Sequence, residues 1–191
     1  MIQLTFLKFR SNDLQTIKYL SNLSHLKILH FETNNYLAED VDCFSNLKKL
    51  TMKLCYSEID YKKSTNLYFD IILNNLTYLR IEDVYTYKML TPNIHRLTNL
   101  KILKLNDVNI LKYKNYFENA SRLEKLKWSL GKYSPKIFKL ELSHKYNIKL
   151  KYLELDNIGY VSLNKLTNLI NYKLKYVNEL KIDNYPILIL R

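Results

Sequence analysis

The sequence predicts an α/β solenoid in which a curved parallel β-sheet forms the concave side and short helices or turns form the convex side. Two observations lead to this prediction: a leucine pattern recurs along the whole chain, and glycine and proline are scarce. The chain has 191 residues, of which 47% are hydrophobic, enough for a folded core. Two glycines and three prolines argue against flexible linkers. We therefore predict one solenoid domain over residues 1–191.

The repeating unit is clearest in the stretch LTNLKILKLNDVNI, residues 97–110. Leu103 and Leu105 alternate with polar residues, as in a half-buried strand, whereas Leu97 and Leu100 lie three apart, as in a turn. A single strand of this kind cannot bury its apolar face, so successive units must stack. The linking segments are predicted to be short helices or turns, and residues 14–23 and 64–76 are the candidate helices.

The pattern LxxLxLxx(N/C/V)x(L/I) fits eight successive segments, with a period close to the usual window of about 20 to 29 residues. The last segment is ambiguous, because its strand could lie near Tyr172 and Leu174 or near Leu180 and Ile182. We prefer the second register, since it keeps the spacing regular. The eight segments begin at Leu4, Leu26, Leu47, Leu76, Leu100, Leu123, Leu150 and Val177.

The sequence resembles the leucine-rich repeat family. The family hallmark LxxLxLxxN/C is met by LTFLKFRSN at 4–12, LKILHFETN at 26–34 and LKKLTMKLC at 47–55. The resemblance implies an irregular solenoid whose buried side-chain ladder is lost in the C-terminal half, and we expect apolar packing there instead. In that half the Asn or Cys position holds Val84, Val108, Gly131, Ile158 and Tyr185.

The sequence also bears on location and on the two ends. Cys43 and Cys55 lack CxxC spacing, which fits a reducing compartment. Both side chains are expected to be buried within the protein. No apolar stretch has the length of a membrane span, and MIQLTFLKFR lacks a secretory h-region. We therefore expect an intracellular, cytoplasmic protein without membrane contact. The first repeat begins near residue 1 and the last residues are PILILR, so both ends are expected either to contact another chain or to continue a longer array.

The net charge of +12 suggests a nucleic-acid partner. However, Lys, Asn, Ile and Tyr are all abundant, and all four have A/T-rich codons. An AT-rich genome, such as that of a eukaryotic parasite or a large DNA virus, would produce this composition without selection for a basic surface. Both explanations remain open at this point.

The residue between the two inner leucines of each unit should form a column on the concave face. This column is mostly basic, and the column two residues further on alternates in charge, which favours cross-strand ion pairs. The columns are either a solvated face whose ion pairs stabilise the sheet or a stripe that binds a partner. We predict that they bind another protein, with an acidic surface, which contacts His30, Arg80, Lys104, Asn106, Lys127 and Glu154. The alternative is a nucleic acid or another anionic surface. The first column is Lys8, His30, Thr51, Arg80, Lys104, Lys127, Glu154 and Lys181, and the second is Arg10, Glu32, Lys53, Glu82, Asn106, Ser129, Asp156 and Asp183.

Catalytic chemistry is not expected. The four histidines, at 25, 30, 95 and 144, lack metal-ligand spacing, and no nucleophile or phosphate-loop motif is present. Trp128 occupies an inward position and is expected in the core, while many tyrosines follow the strands rather than joining the basic column, which does not favour base stacking. The sequence thus predicts a non-enzymatic adaptor or effector that needs no metal or cofactor. The substrate-binding arm of a larger receptor or ubiquitin ligase would require a further domain.

Overall fold

The computed structural model describes residues 3–11, 20–33, 44–55, 67–69, 73–84, 90–92, 97–108, 120–131, 139–143 and 149–183. These residues contain thirteen β-strands and a single 3-10 turn at Leu20–Asn22. The strands are β1 (Phe6–Arg10), β2 (Ile28–Thr33), β3 (Lys49–Cys55), β4 (Leu67–Phe69), β5 (Tyr78–Val84), β6 (Leu90–Pro92), β7 (Ile102–Asn106), β8 (Lys125–Ser129), β9 (Lys139–Ser143), β10 (Tyr152–Asp156), β11 (Tyr160–Asn164), β12 (Asn171–Lys175) and β13 (Glu179–Asp183).

The strands stack as a parallel β-solenoid. The main sheet has eight parallel strands in the order β1-β2-β3-β5-β7-β8-β10-β12. A second sheet contains β9, β11 and β13, and a two-stranded sheet contains β4 and β6. The main-sheet strands follow the predicted units in chain order, so the stacking of repeats is confirmed.

The core contains two ladders of apolar side chains on the inner face of the main sheet, together with apolar residues of the turns and of the second sheet. The strands form because apolar and polar residues alternate, so that one face can be buried against the linking segments. Leu103 and Leu105 are fully buried, and Trp128 is 1% exposed, which confirms its predicted place in the core. The ladders are Leu7, Leu29, Leu50, Leu79, Leu103, Leu126, Leu153 and Tyr172, and Phe9, Phe31, Met52, Ile81, Leu105, Trp128, Leu155 and Leu174.

A tight turn brings the chain back to the main sheet. In one example, Leu100 N donates a hydrogen bond to Leu97 O at 3.0 Å. The asparagine of the turn then donates its side-chain amide to a carbonyl in the turn of the preceding coil: Asn46 to Ser24, Asn75 to Ser45 and Asn99 to Asn74, at 2.7, 2.8 and 2.6 Å. The sequence of this turn, FSNL at 44–47, LNNL at 73–76 and LTNL at 97–100, therefore links successive coils through its asparagine side chain as well as closing the turn.

The helices predicted for the convex side are not found in the described part of the chain. Within the candidate helix 64–76, residues Leu67–Phe69 form β4. Of the other candidate, 14–23, only the 3-10 turn at Leu20–Asn22 is helical, and residues 14–19 lie outside the described residues. The apolar alternation in β9, β11 and β13 has period two and produces a second layer of parallel strands.

The preferred register of the last repeat is wrong. The strand β12 at Asn171–Lys175 completes the main sheet beside β10, whereas β13 pairs with β11 in the second sheet. Both strands fit within one coil because the chain turns sharply at Tyr176, whose φ is 50°. Lys173 and Lys175 therefore occupy the main-sheet positions that the sequence assigned to Lys181 and Asp183.

Apolar packing in the C-terminal half is confirmed where the structure describes it. Val108 and Ile158 are fully buried at the Asn or Cys position, and Gly131 there is half-buried. The side chain of Val84 and all of Tyr185 lie outside the described residues. Cys55 differs from expectation: it is a half-buried free thiol, not a fully buried one, and Cys43 also lies outside the described residues.

Exposed apolar side chains occur at both ends of the stack. Leu4 and Phe6 are 39% and 49% exposed, and Ile170 and Tyr176 are 72% and 81% exposed. In the described ranges, no helix has the length and apolar character needed to cross a membrane.

Candidate partner-binding face

The face of the main sheet opposite the apolar ladders, here termed the polar face, carries three columns of side chains in register. The middle column is predominantly basic, as the sequence predicts. The first column is Phe6, Ile28, Lys49, Tyr78, Ile102, Lys125, Tyr152 and Asn171; the middle column is Lys8, His30, Thr51, Arg80, Lys104, Lys127, Glu154 and Lys173; the third column is Arg10, Glu32, Lys53, Glu82, Asn106, Ser129, Asp156 and Lys175.

All six predicted contact residues lie on the polar face. His30, Arg80, Lys104, Lys127 and Glu154 belong to the middle column, and Asn106 lies in the third column on the same strand as Lys104. Arg80, Lys104 and Lys127 are direct register partners on three adjacent strands. Neighbouring strands lie about 4.8 Å apart, so the three positive charges form a compact row.

The first column is a feature that the sequence analysis overlooked. It contains the aromatic residues Phe6, Tyr78 and Tyr152 and the aliphatic residues Ile28 and Ile102. The available signal was the residue immediately before the first inner leucine of each unit, which faces the same side as the basic column. Tyr78 and Tyr152 therefore lie beside the basic column without belonging to it, and the tyrosines expected after the strands lie outside the described residues.

Ion pairs at the N-terminal end of the third column confirm part of the predicted alternation. Glu32 lies 3.7 Å from Arg10 Nε and 3.6 Å from Lys53 Nζ, on the two neighbouring strands. Cys55 Sγ donates to Glu32 Oε1 at 3.3 Å. This thiol hydrogen bond, together with the charges of Lys53 and Arg10, outweighs the effect of burial and lowers the pKa of Glu32.

A second network closes around Glu154. Lys127 Nζ lies 3.0 Å from Glu154 Oε1, and the Tyr152 hydroxyl donates to Glu154 Oε2 at 3.0 Å. Although burial raises the pKa of Glu154, the hydrogen bonds from Lys127 and Tyr152 and the nearby positive charges lower it overall. Lys125 Nζ lies 4.2 Å from the centroid of the Tyr152 ring, within cation–π range. Lys127 and Glu154 thus largely neutralise each other.

On the other side, Arg80 is paired within its own strand. Its guanidinium donates to Glu82 Oε1, and Asn106 Nδ2 donates to the same oxygen at 3.1 Å. The predicted contact residue Asn106 is therefore already engaged with Glu82. Arg80 Nε is buried and has no acceptor among the described residues.

Between these two networks lies β7, whose polar-face residues are Ile102, Lys104 and Asn106. Lys104 Nζ lies 5.4 Å from the centroid of the Tyr78 ring. In the portion of the chain that the structure describes, no carboxylate oxygen lies within 4.0 Å of Lys104 Nζ. Ile102 is half-buried between Tyr78 and Lys125.

His30 lies in a basic environment with an aromatic neighbour. Its ring makes an edge contact with Phe6 at a centroid distance of 5.7 Å. Burial, and then the charges of Lys8 and Arg80, lower the pKa of His30 below its ordinary value of 6.5, which favours the neutral form of the ring. Within the described ranges, no three His, Cys, Asp or Glu side chains cluster as a metal site would require.

The sequence matches no protein-family model, and no curated protein is similar enough to count as a match.

Proposed function

We propose that the chain is a non-enzymatic interaction module of the leucine-rich repeat type, which binds an acidic surface of another protein through its polar face. The observation that carries this proposal is the row of Arg80, Lys104 and Lys127 on adjacent strands. Like charges directly across neighbouring strands destabilise a sheet. Pairing with Glu82 and Glu154 offsets this repulsion at Arg80 and Lys127. Lys104 has no carboxylate partner among the described residues, and its place in the row therefore favours a role in binding.

The setting of the row supports the same proposal. Solenoids commonly bind partners on the extended surface formed by their stacked strands. In this proposal the protein is located in the cytoplasm. The free thiol of Cys55 is consistent with such a reducing compartment. No metal or cofactor takes part.

Affinity capture with matched charge reversals tests the proposal. The bait is the full chain, and the test variant carries Arg80→Glu, Lys104→Glu and Lys127→Glu. A control variant with Lys149→Glu, Lys165→Glu and Lys181→Glu makes the same charge change at exposed positions away from the row. We expect the test variant to lose proteins that both the wild type and the control retain.

Reversal of Arg80 and Lys127 also breaks their pairs with Glu82 and Glu154. Thermal unfolding of each bait therefore accompanies the capture, and Lys104→Glu alone serves as a milder variant. Equal capture by the wild type, the folded test variant and the control would contradict the proposal.

A second candidate function is the binding of single-stranded nucleic acid. The observation in its favour is that Tyr78 and Tyr152 lie beside Lys104 and Lys125, a combination of rings and cations that suits stacked bases. Against it, Glu154 lies on the same strand as Tyr152 and repels phosphate, and the Tyr152 hydroxyl donates a hydrogen bond to it. Retention on heparin or DNA over a salt series separates the two functions, because phosphate contacts give a steep salt dependence.

A further inference from the structure

We propose that Ile102 and Lys104 of β7 form the main partner-binding point of the polar face, here termed the anchor. They bind an extended protein segment in which a carboxylate residue lies two positions from an aliphatic residue. This proposal rests on the proposed function, since it names the chemistry of the partner at that same face. It identifies one strand, rather than the whole basic column, as the part that selects the partner.

The charge part of the argument follows from which cations are already neutralised. Arg80 is bound to Glu82, and Lys127 lies 3.0 Å from Glu154. Lys104 contacts the Tyr78 ring, and it has no carboxylate within 4.0 Å among the described residues. An incoming carboxylate therefore gains most at Lys104, where it need not displace an existing ion pair.

The apolar part of the argument follows from the first column. Ile102 lies directly between Tyr78 and Lys125 in the register of the sheet. On the neighbouring strand, Lys125 Nζ lies 4.2 Å from the centroid of the Tyr152 ring. The Lys125 charge is therefore directed towards Tyr152 and away from Tyr78. Ile102 and the adjoining Tyr78 ring thus form an apolar patch beside Lys104, which has no carboxylate partner among the described residues.

The spacing of the two groups favours an extended segment. Ile102 and Lys104 are two residues apart on one strand, a distance of about 6.6 Å along the strand axis. An extended peptide repeats its side chains on one side at this same interval. A segment with a glutamate or aspartate two residues from a leucine, isoleucine or valine can therefore contact both groups at once.

The flanking carboxylates favour an acidic protein over a nucleic acid. Glu82 lies on the adjacent strand β5, and Glu154 lies on β10, two strands away on the other side of β7. A single carboxylate can contact Lys104 between them, whereas a continuous phosphate backbone crossing the strands would pass close to both acidic groups. The surface near Lys104 therefore suits a single carboxylate better than a continuous row of phosphates.

Defined probes test the proposal by fluorescence anisotropy with the full chain. One labelled peptide has the repeat Glu-Ser-Ser-Ser, and a matched peptide has the repeat Glu-Ser-Leu-Ser, which places each leucine two residues from a glutamate on the same side of an extended chain. A labelled oligothymidylate is the third probe. We expect the leucine-containing peptide to bind more tightly than the serine peptide, and the oligothymidylate to bind more weakly than both.

Two variants separate the roles of the anchor residues. Lys104→Gln should weaken both peptides about five-fold, equivalent to about 1 kcal/mol, while the control Lys175→Gln should change either by less than about two-fold. Ile102→Thr, which keeps a β-branched side chain for the strand, should abolish the preference for leucine and leave the serine peptide unchanged. If Ile102→Thr does not fold, Ile102→Ala is measured instead.

Three results would contradict the proposal that Ile102 and Lys104 are the anchor. These are equal effects of Lys104→Gln and Lys175→Gln, an Ile102 variant that weakens both peptides equally, and tighter binding of oligothymidylate that is lost with Lys104→Gln. If the peptides fail in this way while the triple charge reversal still removes a captured protein, the anchor is wrong and the proposed function stands.

Discussion

The indole nitrogen of Trp128 donates a hydrogen bond to the backbone carbonyl of Val108 at 3.0 Å, inside the core. The bond joins β8 to the turn that follows β7. In the next coil, Asn157 Nδ2 donates to the carbonyls of Leu130 and Gly131 at 3.1 and 2.9 Å. The C-terminal half therefore satisfies buried turn carbonyls with side chains from neighbouring coils, although its Asn or Cys positions are occupied by other residues.

Replacement of Trp128 tests the importance of this bond. Trp128→Phe should lower the free energy of unfolding by about 2 kcal/mol, because it leaves the Val108 carbonyl buried without a donor and removes packed volume. Urea unfolding followed by circular dichroism measures the change. A loss below about 0.5 kcal/mol would mean that water or another donor replaces the indole.

Substitution of Asn99 tests the asparagine side-chain hydrogen bonds that link the turns of successive coils. Asn99 Nδ2 donates to Asn74 O, and Arg122 donates to Asn99 Oδ1. Asn99→Ala should therefore cost about 1 kcal/mol of unfolding free energy. The neighbouring exposed Thr98→Ala provides the matched control and should change stability by less than about 0.5 kcal/mol. Equal effects of the two substitutions would argue that these hydrogen bonds contribute nothing.

Tyr176 offers a stabilising substitution. It has a φ of 50° and its side chain is 81% exposed, so the backbone is strained while little packing depends on the ring. The corresponding positions Asp107 and Asn157 hold residues that tolerate this conformation. Tyr176→Asn should raise the unfolding free energy by about 0.5 to 1 kcal/mol, because the asparagine side chain can hydrogen-bond locally in this conformation, whereas Tyr176→Ala should not, since alanine has no such side chain. Stabilisation by both variants in urea unfolding would refute this explanation.

The pKa values of Glu32 and Glu154 predict a loss of stability in acid. Both values lie below the ordinary 4.5, so on acidification the unfolded chain takes up these protons first, and the stabilisation is lost as the pH falls below about 4.5 and through the folded-state pKa. Glu154→Gln should flatten the dependence of Tm on pH between pH 5 and pH 3, measured by calorimetry. Glu179→Gln is the control, because none of the salt bridges among the described residues involves Glu179. Parallel profiles for all three proteins would contradict the prediction.

The sequence predicts well those features that depend on local alternation. Leu103 and Leu105 point inward, Trp128 is buried, and the register brings Arg80, Lys104 and Lys127 side by side. Leu67–Phe69 was harder to assign, because a short apolar run is compatible with a helix or a strand. Local patterns favour these assignments only where one face of a strand is clearly apolar.

The remaining differences depend on geometry between coils. The assignment of β12 and β13 to different sheets relies on the left-handed conformation of Tyr176, which leucine spacing does not reveal. The lack of a described carboxylate partner for Lys104 depends on Glu82 and Glu154 binding other cations. Such pairings depend on side-chain conformations, which the amino-acid sequence pattern does not specify.

Site-specific photo-crosslinking tests most directly whether partners bind the polar face. A benzoylphenylalanine replaces Ser129, next to the basic row on the polar face, or Lys181, which is exposed on β13 of the second sheet. Each protein is irradiated with a cell lysate, and crosslinked products are identified by mass spectrometry. We expect a product from position 129 that Lys104→Glu abolishes, and none of that product from position 181. The same product from position 181 at equal yield, or one from position 129 that is insensitive to Lys104→Glu, would contradict the central claim.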